Sequence, residues 1–418
     1  MNDASADHDG LFEELAAKAA TTGTAAMLET LAEALKARRR WHSLFDLRLL
    51  EARLAAGLPT TGDLGEVAAA DRDVLDERSL AACREVGWPL LDDGQVAAAW
   101  MYLRAAATPA EMADRLAGLA AGLTAAAAAD PEDESVAARL QEIVHVALWE
   151  GVDPALGIDL VIRTQGTCNA ITAYEQAVSR LPARRQAPAA AVLVRHLHHE
   201  VARALAADLR GRGPHLADAV AEGASLMPLL DTLREIGDGD EPAIHADVSH
   251  LQSVLRIARV CTDPETVRAA WELACYACRL PADVVYPGEP PFEHVGEASR
   301  LFFGAQLGHD VDRALASFRR TAARARVEES GTLPADTLVL LLTRLGRHAE
   351  ALHAALERPA ESTMPSAMAA SGMLPSLVEL ATAADSWDEL LAACRDRGDE
   401  ITFAAALAAR GHGRGLGR

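Results

Sequence analysis

The sequence predicts an all-α fold built from antiparallel helix pairs. Hydrophobic residues make up 50% of the 418 residues but aromatic residues only 4%, so alanine, leucine and valine must supply the core. Alanine and leucine are strong helix formers, and a core of small side chains favours closely packed helices. Apolar residues recur at helical spacing along most of the chain, and no run alternates as a half-buried strand does.

Proline, glycine and acidic residues divide this pattern into successive helices. The first part of the chain predicts helices over residues 11–20, 25–37, 41–56, 80–91, 95–107 and 110–129. The run Asp130-Pro131-Glu132-Asp133-Glu134 then interrupts the pattern. We therefore expect an N-terminal helical portion, residues 1–129, and a larger C-terminal portion, residues 135–410.

The second part of the chain continues in the same way. It predicts helices over residues 135–150, 162–181, 189–209, 216–236, 243–260, 264–279, 292–307 and 311–326, a helix pair over 334–357, and two or three helices over 366–410. Residues 281–291 contain four prolines and a glycine and form the longest non-helical insert. The Gly-rich residues 411–418 are expected to be a flexible tail.

The stretch Ile162–Leu181 departs from the Ala/Leu pattern and predicts a polar cavity. On a continuous helix, Thr164, Thr167, Cys168 and Glu175 share one face with Ile171 and Val178. A packed helix turns polar groups inward only where they have partners. Cys168 and Glu175 are therefore candidate catalytic groups, with a buried core thiol as the alternative for Cys168. The candidate substrate-binding residues are Arg163, Thr164, Thr167, Asn169 and Tyr174.

Two acid–histidine pairs at helical spacing are candidates for acid–base chemistry or metal binding. His294 and Glu297 stand three residues apart, close enough to share a proton or a ligand, or else to cap the first turn of a helix. Asp247 and His250 form a second pair, or an exposed helix flank. The hypothesis is that all four hold one divalent metal ion, and that His294 and Glu297 also serve catalysis.

Two further clusters, the histidines of segment 195–200 and the pair Cys275 and Cys278, are expected to have no catalytic or metal-binding role. In the segment 195–200, RHLHHE, the core stripe is Val194, Leu197, Val201 and Leu205, so the histidines are expected on a solvated face. Cys275 and Cys278 form a single CxxC, and a structural zinc site would need a second ligand pair. We expect them to be core cysteines.

Composition narrows the class of protein. With a formal net charge of −21, the chain should be repelled by phosphate backbones, so a nucleic-acid partner is not expected. No apolar run is long enough to predict a membrane span. The acidic, polar start is unlike a secretory signal, and reduced thiols in the cytoplasm are the expectation.

Three segments resemble degenerate tetratricopeptide repeats. Leu91-Asp92-Asp93-Gly94 precedes Ala98 and Tyr102, Leu307-Gly308-His309-Asp310 precedes Ala314 and Phe318, and Leu345-Gly346-Arg347-His348 precedes Ala351 and Leu352. The small residues let paired helices approach closely. The resemblance implies a right-handed superhelical stack of antiparallel helix pairs, an α-α solenoid, and proteins of this kind often bind partner peptides in a concave groove.

Residues 292–320, which include EHVGEASRLFF, and the triplet Ile162-Arg163-Thr164 resemble parts of the questin-oxidase-like family. That family consists of cofactor-independent oxygenases, so the resemblance implies an oxygen-using reaction. No catalytic residue of this chain is assigned from the resemblance.

Two functions remain open from the sequence. The first is an enzyme that acts on a small organic molecule in a polar cavity, with or without a metal ion. The second is a non-catalytic tetratricopeptide-like scaffold that binds a protein partner. Polar residues on predicted inward faces favour the enzyme.

Overall fold

The structure is a computed structural model that describes residues 3–62, 68–213, 225–236, 243–288, 291–358 and 367–415. Within these ranges all regular structure is helical and there is no strand, which confirms the all-α prediction. The chain divides into two compact units, Met1–Asp153 and Pro154–Arg418. None of the described helices has the length and apolarity that spanning a bilayer requires.

The first unit is a succession of helices, of which the first five pack in chain order. These are α1 Asp3–Thr21, α2 Thr24–Ala37, α3 Trp41–Ala55, α4 Ala69–Asp92, α5 Val96–Ala106, α6 Pro109–Ala129 and α7 Glu134–Val144, which ends in a π-helical turn, His145–Trp149. The acidic run that interrupts the sequence pattern lies between α6 and α7, and α7 packs on both α5 and α6.

Short-range rules explain much of this unit. Thr108 and Glu111 form a reciprocal capping box that starts α6. Helices α4 and α5 approach closely because Gly87 presents no side chain: a Cβ there would lie 2.5 Å from Leu103 Cγ. Arg48 on α3 donates to both carboxylate oxygens of Glu85 on α4, at 2.8 and 2.9 Å.

The second unit contains the remaining helices. They are α8 Pro154–Ala173, α9 Ala183–Arg212, α10 Leu226–Ile236, α11 Val248–Ile257, α12 Pro264–Ala277, α13 Val295–Gln306, α14 Val311–Arg324, α15 Val327–Ser330, α16 Leu333–Arg344, α17 His348–Leu356, α18 Ala367–Ala370, α19 Leu377–Ala384, α20 Trp387–Arg397 and α21 Glu400–Gly415. A π-helical turn, Tyr174–Val178, follows α8, and a 3-10 turn, Ala258–Val260, follows α11.

The 30-residue helix α9 organises the start of this unit, since α8, α10, α11 and α12 all pack on it. Its core stripe is the predicted one, and Val194, Leu197, Val201 and Leu205 are all buried. From α12 onward, packing follows chain order through α13, α14, α16, α17 and α19, with α20 and α21 at the end. The expected tail is partly helical, because α21 continues to Gly415, and residues 416–418 lie outside the described ranges.

The three tetratricopeptide-like segments all contain tight turns between helices that pack on each other. These turns join α4 to α5, α13 to α14, and α16 to α17. Each has a glycine with a positive φ, 77° at Gly94, 86° at Gly308 and 71° at Gly346. Glycine adopts this left-handed conformation without a steric cost and so allows the chain to reverse after a helix.

Candidate functional site

Two neighbouring clefts flank the proline-rich connection between α12 and α13. The larger has a volume of about 610 Å³ and the smaller about 330 Å³. Tyr286, Pro287 and Val295 line both clefts and form the wall between them. Both volumes fall in the range of small-molecule sites.

Two glycines shape this region. At Gly296, in the first turn of α13, a Cβ would meet Ala277 Cβ at 3.0 Å and Cys278 N at 3.2 Å, so the missing side chain lets α13 cross the end of α12. In the connection, Gly288 N–H donates to Glu293 O at 2.9 Å. A side chain at Gly288 would collide with Phe292 O and Val295 Cγ2. The connection is therefore a packed structure.

The larger cleft brings together reactive side chains from α12, α13 and the connection. Cys278, Glu293, His294, Glu297 and Arg300 line it, beside the apolar Leu280 and Val285. Glu297 is engaged by Arg313 at 3.2 Å. His294 is the N-cap residue of α13, but its imidazole makes no capping hydrogen bond and no other hydrogen bond or ion pair with a described residue. It is therefore available to a ligand.

Cys275 is half-buried and Cys278 exposed, so the expectation that both are core cysteines is wrong. Partial desolvation still makes both thiols poor nucleophiles. Burial raises the pKa of Cys278, and the neighbouring Arg300 only partly opposes this effect. Burial also raises the pKa of Cys275 to about 12. Because the thiolate is the reactive form of cysteine, neither thiol is activated at neutral pH.

The smaller cleft is lined by α11 on one side and by the connection, α13 and Leu333 on the other. Arg256 and Arg259 enter it beside Ser249, Gln252 and Ser253. The guanidinium of Arg259 lies over the Phe292 ring, 5.7 Å from its centroid. Gln252 Nε2 donates to Tyr286 O at 2.5 Å and so holds the connection against α11.

The predicted inward polar face of the central stretch is wrong. Thr164, Cys168 and Glu175 are exposed, as are Arg163 and Asn169. Gly166, with a φ of 84° and a ψ of 173°, interrupts the helix between Thr164 and Thr167, so the residues on its two sides do not form the one continuous face that the prediction assumed. Of the predicted substrate-binding residues only Tyr174 is buried, and it donates to Gln186 Oε1 at 3.2 Å. It contributes to the core of this unit.

The exposed residues of the central stretch are satisfied locally. Arg163 pairs with Asp159 at 2.7 Å, and Thr164 and Asn169 donate to backbone carbonyls one turn earlier. Glu175 reaches across to Arg256 at 2.7 Å. None of the predicted residues of the central stretch is among the described residues that line the two clefts.

Thr167 forms a cluster that superficially resembles a hydroxyl–imidazole–carboxylate triad. Its Oγ1 lies 3.0 Å from His196 Nε2, and Glu200 Oε2 lies 3.5 Å from that same nitrogen. In a catalytic triad the carboxylate supports the opposite imidazole nitrogen, so that the first can accept the hydroxyl proton. Glu200 competes with Thr167 here, and this geometry does not activate the hydroxyl.

The four residues expected to hold one metal ion, Asp247, His250, His294 and Glu297, do not come together in one site. Asp247 is the N-cap of α11 and accepts hydrogen bonds from Ser249 N and His250 N. His294 and Glu297 line the larger cleft, whereas Asp247 and His250 are absent from its described lining. Among the described residues no group of three or more His, Cys, Asp or Glu side chains is placed to hold a metal ion.

Glu272, which the sequence analysis did not single out, is a buried carboxylate between α9, α10 and α12. Glu272 is 3% exposed. One of its oxygens accepts from Ser225 Oγ at 2.5 Å, and the other accepts from Leu226 N at 2.9 Å and lies 2.7 Å from His198 Nε2. His198, expected on a solvated face, is thus largely buried. The sequence feature that could have indicated this buried site is the position of Glu272, a carboxylate within the apolar stripe of α12.

A second polar group ties α9 to α11 and α12. His245, which precedes α11, points its Nε2 at Asp208 at 3.1 Å, and Arg212 engages the same carboxylate at 2.8 Å. Tyr276 Oη accepts from His245 N at 2.7 Å. These contacts fix helices in place and leave no group turned toward either cleft.

Comparison of the chain with protein-family models, with curated proteins and with solved structures finds no match.

Proposed function

We propose that this chain is an enzyme that acts on a small, polar organic molecule in the larger cleft, with His294 as the acid–base group. The observation that carries the proposal is the convergence of Cys278, which follows α12, with His294, Glu297 and Arg300, at the start of α13, on one cleft of about 610 Å³. A concave, partly apolar site with a few convergent polar groups is the usual form of a ligand site.

Each side chain has a distinct expected role. The His294 imidazole, which has no partner among the described residues, can accept or donate a proton. Arg300 offers a fixed positive charge to an anionic or carbonyl oxygen of the substrate. Cys278 stays protonated and forms part of the wall. The proposal uses no metal ion.

The second candidate function is a non-catalytic scaffold that binds a protein partner. It is supported by the order of packing, since most helices contact neighbours along the chain and three tight glycine turns join packed pairs. The proposed superhelical, tetratricopeptide-like arrangement of these pairs would provide a concave surface. Under this function the larger cleft would have no small-molecule ligand.

Ligand-observed NMR with a library of small organic acids, phenols, amines and carbonyl compounds separates the two functions. We expect at least one compound to give a binding signal with the wild-type protein and to give none with the His294→Ala protein or the Arg300→Gln protein. His199→Ala is the matched control, because His199 is also an exposed histidine of the second unit. A library in which no compound loses its binding signal on both His294→Ala and Arg300→Gln would favour the scaffold.

A further inference from the structure

The described lining of the smaller cleft includes two arginines, although the chain as a whole is acidic. Acidic residues outnumber basic ones, 61 to 40. Nevertheless, the only charged side chains among the described residues that line this cleft are Arg256 and Arg259. Guanidinium groups present paired donors to carboxylates and related anions. The lining therefore favours an anionic ligand.

The rest of the lining is suited to a flat apolar body. Tyr286 is 62% exposed, and Phe292, Val295 and Leu333 provide further apolar surface. Ser249, Ser253 and Gln252 add polar atoms on the α11 side. A volume of about 330 Å³ accommodates a single substituted ring. Aromatic rings stack readily on exposed aromatic side chains.

Arg256, which lines this cleft, already binds one carboxylate, that of Glu175, which is not itself among the described lining residues. Glu175 Oε1 accepts from Arg256 Nη2 at 2.7 Å, although the two residues are 81 positions apart. Both side chains are about half exposed, 41% for Glu175 and 52% for Arg256. An exposed ion pair of this kind contributes little stability, so exchanging its carboxylate for another costs little.

We propose that the smaller cleft binds a small aromatic carboxylate whose anionic group takes the place of Glu175 on Arg256 and whose ring packs against Tyr286. In the absence of this ligand Glu175 is an internal competitor. The inference concerns a different cleft from that of the proposed function, and it can be tested whether or not the larger cleft has a substrate.

Benzoate is a suitable probe, and isothermal titration calorimetry on the full chain measures its affinity. We expect Arg256→Gln to weaken benzoate binding about tenfold, since it removes a charge-assisted hydrogen bond. Glu175→Gln should strengthen binding two- to fivefold or so, because it weakens the internal competitor for the guanidinium. Arg268→Gln, at an exposed position of α12, is the control and should leave the affinity unchanged.

A double variant makes the test specific. If Glu175 acts only by competing for Arg256, Glu175→Gln should have no effect on benzoate binding in the Arg256→Gln protein. Benzylamine, which has the same ring and the opposite charge, should not bind, and acetate should bind more weakly than benzoate. Equal binding of benzylamine, no loss on Arg256→Gln, or no gain on Glu175→Gln would each overturn the proposal.

Discussion

Glu272 is a carboxylate with a defined partner for each oxygen. Burial alone would raise its pKa, but hydrogen bonds from His198, Ser225 and the Leu226 N–H outweigh burial and lower the pKa overall. The Leu226 N–H lies at the start of α10, where helix dipoles favour negative charge. One side chain thus holds three helices together and satisfies a helix end that would otherwise lack an acceptor.

Glu272→Ala should reduce the free energy of unfolding by about 3–5 kcal/mol, because it leaves His198 and the first N–H of α10 buried without their acceptor. Glu265→Ala, at an exposed position in the first turn of the same helix, should cost less than about 1 kcal/mol. Urea unfolding followed by circular dichroism measures both. Similar losses for the two variants would contradict the role assigned to Glu272.

The lowered pKa of Glu272 also predicts a pH dependence. A carboxyl group whose pKa is lower in the folded protein stabilises the fold above its ordinary pKa, 4.5 here, and loses that contribution as the pH falls through the folded value. The stability gap between the wild-type protein and Glu272→Gln should therefore be full at pH 7 and shrink below pH 4.5. Urea midpoints at several pH values give the gap, and a gap independent of pH would show this wrong.

At the scale of elements, the sequence predicts where most helices lie. It does not predict which face of the central stretch, residues 162–181, is buried. Proline and glycine mark the ends of α3, α6 and α12 in the sequence itself, so their bounds follow from local rules. Gly166 gives no such signal, because an isolated glycine within a helical pattern is compatible with an unbroken helix. The backbone conformation of this one residue breaks the continuous helix on which the predicted polar face depended.

Gly166→Ala tests this explanation. The position has open space around it, so any cost comes from its backbone conformation, which is accessible almost only to glycine. We expect a loss of about 1–3 kcal/mol in the free energy of unfolding. Gly118→Ala in α6 also has open space but helical backbone, and it should gain about 0.5–1 kcal/mol. A gain for both variants, measured by urea unfolding, would contradict the constraint at Gly166.

At the scale of the whole molecule, the clefts depend on contacts that no sequence spacing reveals. His198 and Glu272 lie 74 residues apart and Glu175 and Arg256 lie 81 apart, and both pairs form because helices that are distant in sequence pack on one another. Residues 281–291 have no periodicity in the sequence, so the place of Tyr286 and Pro287 in the wall of two clefts could not be predicted. His294 and Glu297 could be proposed because their spacing is local, whereas Asp247 and His250 share that spacing but are absent from the described lining of the larger cleft.

The two compact units predict that fragments 1–153 and 154–418 each fold alone. Each buries a core of its own, with Leu44, Leu103 and Met112 in the first unit and Leu193 and Leu205 in the second. Both fragments are long enough to bury such a core. Each should give a helical circular dichroism spectrum and a cooperative urea transition.

A fragment ending at residue 129, where the sequence pattern breaks, should be less stable than fragment 1–153. It lacks α7, whose Leu140, Ile143 and Val144 are buried, and α7 packs on α5 and α6. Removing α7 exposes the apolar faces of both helices, at a cost of about 1.5–3 kcal/mol for each large side chain that loses its burial. Fragment 1–129 should therefore unfold at a lower urea concentration and bind the dye ANS, which reports exposed apolar surface. Equal urea midpoints for the two fragments would show that α7 is not part of the core of the first unit.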